Sequence, residues 1–233
     1  MSSKKTHFVK FVYFRSDTKY AIDTQRNYPS EAEILGIRVP KLRKVMGELR
    51  ADYKTAENSV KPELAKELSK SNILECIQLA YLYLDKERKV LKMMTAQDVF
   101  DLGNYLDNWV LIDSYATIVV GTAWRENIIS TKQIIEGLKS ENVWTRRISV
   151  VATVALNQAA RGGKGDTPRT LKICRLAIDD HEDMIVKGVS WALRVLVKPD
   201  KEAVLNFINR HESRIHNRVV REVKNKIFTG YKN

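Results

Sequence analysis

The sequence predicts an all-α fold arranged as an α-solenoid. In almost every apolar segment the apolar residues recur every three to four positions, as in an amphipathic helix. No segment bounded by turn residues shows the alternation of apolar and polar residues that is typical of a β-strand. Glycine and proline number only 10 and 5. The expected helices cover residues 41–55, 61–70, 72–85, 96–106, 108–120, 131–139, 143–160, 168–178, 183–197, 200–210 and 215–228.

An internal repeat indicates the kind of solenoid. Asn72, Asn108 and Asn142 each open a longer helix and lie 36 and 34 residues apart, with shorter helices between them. Helix pairs repeated every ~30–45 residues are typical of HEAT-type solenoids, and asparagine is a favoured N-cap. We expect one HEAT-like repeat domain over residues 1–233, with a less certain packing for segment 1–34, and a concave basic surface. An irregular all-α domain is the alternative.

The charge points to a polyanionic partner. The 40 basic and 28 acidic residues give a net charge of +12. Residues 1–122 hold 19 basic and 16 acidic side chains, and the remainder hold 21 and 12, so the second half carries +9. This asymmetry favours nucleic acid first and an anionic membrane second. A basic protein with solvated faces explains the same charge.

Several functional classes are excluded by composition. No run of eighteen apolar residues occurs, so no transmembrane helix is expected. The two cysteines lie inside apolar stretches and the four histidines are scattered, so neither a disulfide framework nor a metal site is expected. The cysteine usage indicates a reducing compartment.

Four successive helices carry tryptophan or basic side chains at helical spacing. Basic side chains pair with phosphates and indoles pack against sugars or bases, so one face that carries both suits nucleic acid. Taken singly, each tryptophan is more readily a core residue and each cation a solvated one. The residues are Trp109 with Asp113, Trp144 with Arg147, Lys187 with Trp191 and Arg194, and Arg214 with Arg218 and Arg221.

Asp113 is the acid in this face. It follows Asn108 at the same distance as Arg147 follows Asn142, so neighbouring repeats would set the two side by side. A carboxylate about 4 Å from a phosphate is unfavourable by roughly 1–4 kcal/mol. It is useful where a bound sugar becomes cationic, as in glycosidic cleavage, and it can hold or deprotonate a water. A simple inter-repeat ion pair with Arg147 is the alternative.

At these residues the sequence resembles the DNA alkylation repair glycosylases built from HEAT-like repeats, the AlkD-like family. Residues 35–43 are similar to the family's Gly-(Ile/Val)-x-x-Pro-x-x-Arg segment, and residues 109–113 to its Trp-x-x-x-Asp. Residues 142–147 are similar to its Trp-x-x-Arg helix, and residues 187–194 to its Lys-x-x-x-Trp-x-Leu-Arg helix. The matches occur in order along most of the chain.

The resemblance implies a monofunctional glycosylase that excises N3- and N7-alkylated purines from duplex DNA without a snug base-flipping pocket. Asp113 would stabilise the sugar cation and position water, Trp109 and Trp191 would pack against the deoxyribose, and Arg147 would hold a phosphate. The family's N-terminal aromatic aligns poorly here, with Tyr28 the better candidate and Tyr20 the worse. No metal or organic cofactor is implied. The remaining DNA contacts expected from the basic face are Lys187, Arg194, Arg214, Arg218 and Arg221.

We further expect a monomer in the bacterial or archaeal cytoplasm, associated with the nucleoid. Two other functions stay open. One is a non-catalytic solenoid that binds branched or distorted DNA through the basic half and the glycine-rich loop at 161–169. The other is a protein-interaction scaffold. Release of alkylated bases would distinguish the glycosylase from both of these alternatives.

Overall fold

The computed structural model describes residues 12–104 and 106–232, and the regular secondary structure in these ranges is helical apart from an isolated parallel bridge between Glu33 and Ile73. The all-α prediction is therefore confirmed. The α-helices are α1 Thr18–Asn27, α2 Val39–Asp52, α3 Val60–Ser69, α4 Leu74–Lys86, α5 Arg88–Leu91, α6 Ala96–Asp101, α7 Trp109–Ser114, α8 Gly121–Arg125, α9 Thr131–Gly137, α10 Val143–Val151, α11 Val154–Asn157, α12 Thr167–Leu176, α13 Asp183–Leu196, α14 Lys201–Arg210 and α15 Asn217–Thr229.

Two predicted helices are interrupted. The one expected at 108–120 continues from α7 through a π-helical segment, Tyr115–Val120, into α8. The one expected at 143–160 ends at α10, resumes as α11 and finishes in the 3₁₀ turn Ala159–Arg161. The polar helix α1 was not predicted. It begins because the Asp17 carboxylate accepts the backbone N–H of Tyr20 at 3.0 Å.

The first compact unit comprises residues 1–119, and its core forms around α4. Helix α4 packs against α2, α3 and α7. The buried Glu75 carboxylate of α4 accepts the backbone N–H groups of Leu35, Gly36 and Ile37 at 3.0, 2.7 and 3.1 Å. Gly36 has φ +77°, and a Cβ there would lie 2.1 Å from the Asp17 carbonyl oxygen, so this turn requires glycine.

The second compact unit comprises residues 120–233 and is organised as helix pairs. Helix α13 packs against both α10 and α15. Each of these three helices also packs against the helix before it in sequence, in the pairs α9–α10, α12–α13 and α14–α15. Fully buried side chains such as Val150, Ile185, Leu193 and Val223 fill the space between them.

Two of the three predicted asparagine caps are confirmed and one is wrong. The side chain of Asn108 accepts the N–H of Leu111 at 3.1 Å, and Asn142 caps α10 in the same way. Asn72 instead has a left-handed φ of 57°, and its carbonyl oxygen accepts the N–H of Glu33. The Glu33–Ile73 bridge lies directly before α4, and the backbone of Asn72 forms one of its hydrogen bonds, so Asn72 does not cap the helix.

Candidate active site

Helix α7 carries an aromatic side chain and a carboxylate one turn apart. Trp109 is 43% exposed and Asp113 is half-buried, whereas Leu111 and Ile112 between them are buried in the first unit. Apolar burial on one side of the helix therefore fixes its orientation and leaves Trp109 on the outer side. Asp113 is not isolated, because it also interacts with other groups of the protein.

A π-helical segment follows Asp113 directly. The Thr117 hydroxyl donates to the Asp113 carbonyl oxygen at 2.7 Å, and the Tyr115 hydroxyl donates to the Val99 carbonyl oxygen at 2.8 Å. The first bond lies within the helix, and the second ties the π-helical segment to α6. Such segments are frequent at functional sites because they reorient side chains locally.

Tyr28 contacts Trp109. Their ring centroids lie 5.6 Å apart and the planes are inclined at 82°, an edge-to-face arrangement that is favourable for aromatic pairs. Of the two tyrosines considered from the sequence, Tyr28 therefore shares the surroundings of Trp109. The guanidinium of Arg38 lies over the ring of Tyr20 at 4.3 Å.

Asp107 connects the Tyr28 segment to the start of α7. Its carboxylate accepts the Ser30 hydroxyl at 2.9 Å, the backbone N–H of Glu31 and the side-chain amide of Asn108 at 3.0 Å. Asn108 is also the cap of α7, so one carboxylate joins the segment after α1 to the helix that carries Trp109. Sequence analysis missed this residue, because Ser30 and Asp107 are 77 positions apart.

In the second unit, Arg147 points from α10 towards the start of α13. It is only 5% exposed, and its guanidinium donates to the Met184 carbonyl oxygen. Trp144 on the same helix is half-buried. Trp124 of α8 is 1% exposed and its indole N–H donates to the Thr131 hydroxyl at 3.0 Å, so this tryptophan is a core residue.

The basic side chains of α13 and α15 form one network with two carboxylates. Asp183 lies between Lys187 and Arg218, with its Oδ1 at 3.2 Å from the Arg218 guanidinium. Arg218 also donates to Glu222 at 2.9 Å. Glu222 further accepts the Ser190 hydroxyl at 2.6 Å and lies 3.8 Å from the Arg194 guanidinium.

Glu222 is the buried centre of this network, with an exposed fraction of 3%. Burial alone raises the pKa of a carboxyl group, but the hydrogen bonds from Ser190 and Arg218 outweigh it, aided by the charges of Lys232 and Arg194. The pKa of Glu222 therefore lies below its ordinary value. Burial in turn lowers the pKa of the Arg194 guanidinium, against the opposing effect of Glu222.

The remaining predicted cations differ in their surroundings. Arg214 forms an exposed pair with Asp179, whose Oδ1 lies 3.1 Å from its Nε. Arg221 is exposed and has no carboxylate partner among residues 12–104 and 106–232. Trp191 of α13 is half-buried. The predicted DNA-binding cations are thus mostly engaged by acids of their own unit.

The structure groups the predicted residues in two sets. Trp109 and Asp113 belong to the first unit, and all the other predicted site residues belong to the second. Trp109 and Asp113 share α7, Lys187, Trp191 and Arg194 share α13, and Arg218 and Arg221 share α15. That Asp113 and Arg147 lie side by side stays a prediction.

A family model described as DNA alkylation repair enzyme matches residues 14–227 of the chain. The chain belongs to this family. The protein is accordingly an enzyme of DNA alkylation repair, and DNA is the implied substrate. No curated protein matches the chain.

Within residues 12–104 and 106–232, no cluster of three or more histidine, cysteine or acidic side chains has the arrangement of a metal site. In the same part of the chain, every helix is too short or too polar to cross a bilayer.

Proposed function

We propose that this member of the family is a monofunctional DNA glycosylase that excises N3- and N7-alkylated purines from duplex DNA. The observation that carries the proposal is the placement of the Asp113 carboxylate one helical turn after the exposed Trp109, with Tyr28 against that indole. Together these residues offer an aromatic surface for a sugar and a negative charge beside it. Family membership supports the alkylated substrate.

In this mechanism the bond between C1′ and the purine nitrogen breaks heterolytically. Its electron pair moves to the base, which neutralises the positive charge of the alkylated purine. The sugar becomes an oxocarbenium ion, which Asp113 stabilises electrostatically. Water then adds to C1′, and Asp113 accepts or directs the proton that the water loses. The cationic leaving group removes the need for a general acid.

The second unit would hold the phosphate backbone. We propose that α10, α13 and α15 belong to a solenoid of HEAT-like repeats with a basic concave surface, on which a monomer binds duplex DNA. Phosphate oxygens would replace the Asp183 carboxylate at Lys187 and Arg218, since both anions make the same charge-assisted hydrogen bonds. Arg147 would hold a phosphate, and Trp191 would pack against a deoxyribose.

The test is the release of 7-methylguanine and 3-methyladenine from methylated duplex DNA under single-turnover conditions. Wild-type protein should release the bases, and Asp113→Asn should do so at least about 100-fold more slowly, as expected for loss of a catalytic carboxylate. Asp52→Asn, an exposed carboxylate of the first unit, is the matched control and should behave as wild type. Equal rates for wild type and Asp113→Asn would refute the proposal.

The alternative is a family member that binds branched or distorted DNA without cutting it. The net charge of +9 in residues 123–233 favours it independently of Asp113. It predicts tight binding to branched DNA and no base release from any methylated substrate. Salt dependence does not separate the two, because counterion release accompanies both.

A further inference from the structure

The first unit contains a cleft that none of the predicted site residues lines. It has a volume of about 440 Å³ and lies between the C-terminal part of α2, the segment leading into α3 and the end of α4. Pockets for small ligands commonly have volumes of ~300–1,000 Å³. The cleft is thus large enough for a ligand of mononucleotide size.

The charged residues of the cleft are mostly positive. Arg50, Lys54 and Lys61 line it, together with the single carboxylate of Glu87. Arg50 binds that carboxylate, with both Nε and Nη2 at 2.6 Å from Oε1. Neither lysine has a carboxylate partner in the described part of the chain. The cleft therefore has an excess of two positive charges with no internal counter-ion.

The two phenols of the cleft do not reduce this excess. Burial raises the pKa of Tyr83 to about 12, with a further contribution from Glu87. Burial also raises the pKa of Tyr53. Both hydroxyls stay protonated at neutral pH, so they add hydrogen-bonding groups without adding negative charge.

Gly47 leaves the cleft open. It lies in the middle of α2, where glycine is less favourable than alanine. Its φ is not in the left-handed region, and an added Cβ would have no heavy atom within 4 Å. Neither backbone conformation nor crowding requires glycine here. Because Gly47 lines the cleft, a longer side chain at this position would narrow it.

We propose that this cleft binds a phosphate group carried by a nucleotide or by a DNA strand. The two unpartnered lysines supply the charge, and Arg50 and the phenols supply hydrogen-bonding groups around it. The site is separate from the proposed glycosylase chemistry, because it requires neither Asp113 nor the cations of the second unit.

Calorimetric titration of the full chain tests this proposal with three probes: dAMP, deoxyadenosine, which lacks the phosphate, and a short unmodified duplex. Two variants target the cleft, namely Gly47→Leu, which narrows it, and the double variant Lys54→Glu/Lys61→Glu, which reverses its charge. The matched control, Lys86→Glu/Lys89→Glu, changes the net charge equally at exposed lysines of the same unit that do not line the cleft.

Wild type should bind dAMP and not deoxyadenosine, and both cleft variants should bind dAMP at least about tenfold more weakly, the loss expected for a charge-assisted contact. The control should stay close to wild type. Gly47→Leu should keep the helical fold of wild type, because leucine favours the helix and the added Cβ meets no heavy atom within 4 Å. Circular dichroism and thermal melting verify the fold of each variant.

The duplex distinguishes the two sources of phosphate. If Gly47→Leu loses dAMP but keeps its duplex affinity, the ligand is a free nucleotide. If the duplex affinity falls with it, the ligand is the DNA backbone. The proposal is overturned if wild type binds neither dAMP nor the duplex, if deoxyadenosine binds as well as dAMP, or if Gly47→Leu and the control bind alike.

Discussion

The two compact units differ in how their charges are arranged. In the first, whose residues hold 19 basic and 16 acidic side chains, a half-buried carboxylate and an exposed indole share one short helix. The second carries the larger positive charge, yet Lys187, Arg194, Arg214 and Arg218 all lie beside carboxylates. Net charge therefore overstates the number of free cations. In this protein, DNA affinity should depend on how readily phosphate displaces the protein's own acids.

The largest expected effect contrasts two tryptophans, one from each unit. Trp124→Ala should lower the free energy of unfolding by about 3–5 kcal/mol, because a fully buried indole leaves a cavity. Trp109→Ala should cost about 1 kcal/mol or less, since its side chain is partly exposed, but should slow base release. Urea unfolding and single-turnover assays measure the two quantities. A large loss of stability in Trp109→Ala would place it among the core residues.

Glu222→Gln should destabilise the second unit by about 2–3 kcal/mol, because Arg194 and Arg218 lose a charged hydrogen-bond acceptor. The folded-state pKa of Glu222 is lowered, so its contribution is fully present above the ordinary carboxyl pKa of about 4.3. It is lost as the pH falls through the lowered value. Wild type should thus lose more stability than Glu222→Gln as the pH falls below about 4.3. Parallel pH profiles of the two proteins would contradict this role.

Asp107→Asn should slow base release by about tenfold, equivalent to ~1.4 kcal/mol, because the segment after Tyr28 is held less firmly against α7. Tyr28→Leu should show a similar loss, and the double variant should add little more, since both act on one aromatic pair. A thermodynamic cycle of single-turnover rates measures this coupling. Fully additive losses would show that Asp107 acts elsewhere.

The smallest effect concerns Asp183. Asp183→Asn should tighten DNA binding by about threefold, because phosphate no longer competes with a carboxylate for Lys187 and Arg218. Fluorescence anisotropy at several salt concentrations tests this, with Glu202→Gln on α14 as an exposed acidic control. Weaker binding by Asp183→Asn would mean that the carboxylate orients the cations instead of competing for them.

Local patterns in the sequence predicted much of the fold. Helical periodicity identified the all-α class, and Asn108 and Asn142 marked two helix starts. The pairing of Arg218 with Glu222 was missed, although the residues lie one helical turn apart. Helix α1 was missed although Asp17, the cap that starts it, is a local signal. Features that depend on distant contacts were not predictable: the π-helical segment after Asp113, where Tyr115 bonds to Val99, and the bonds of Asp107 to Ser30. Each is stabilised by groups that only the folded chain brings together.

Base release from methylated duplex DNA by wild type and Asp113→Asn tests the central claim most directly. The account predicts rapid release of methylated purines by wild type, a loss of at least about 100-fold in the variant, and DNA affinity that is unchanged or slightly higher when the repulsive charge is removed. Absence of release by wild type, or equal release by both proteins, would contradict it.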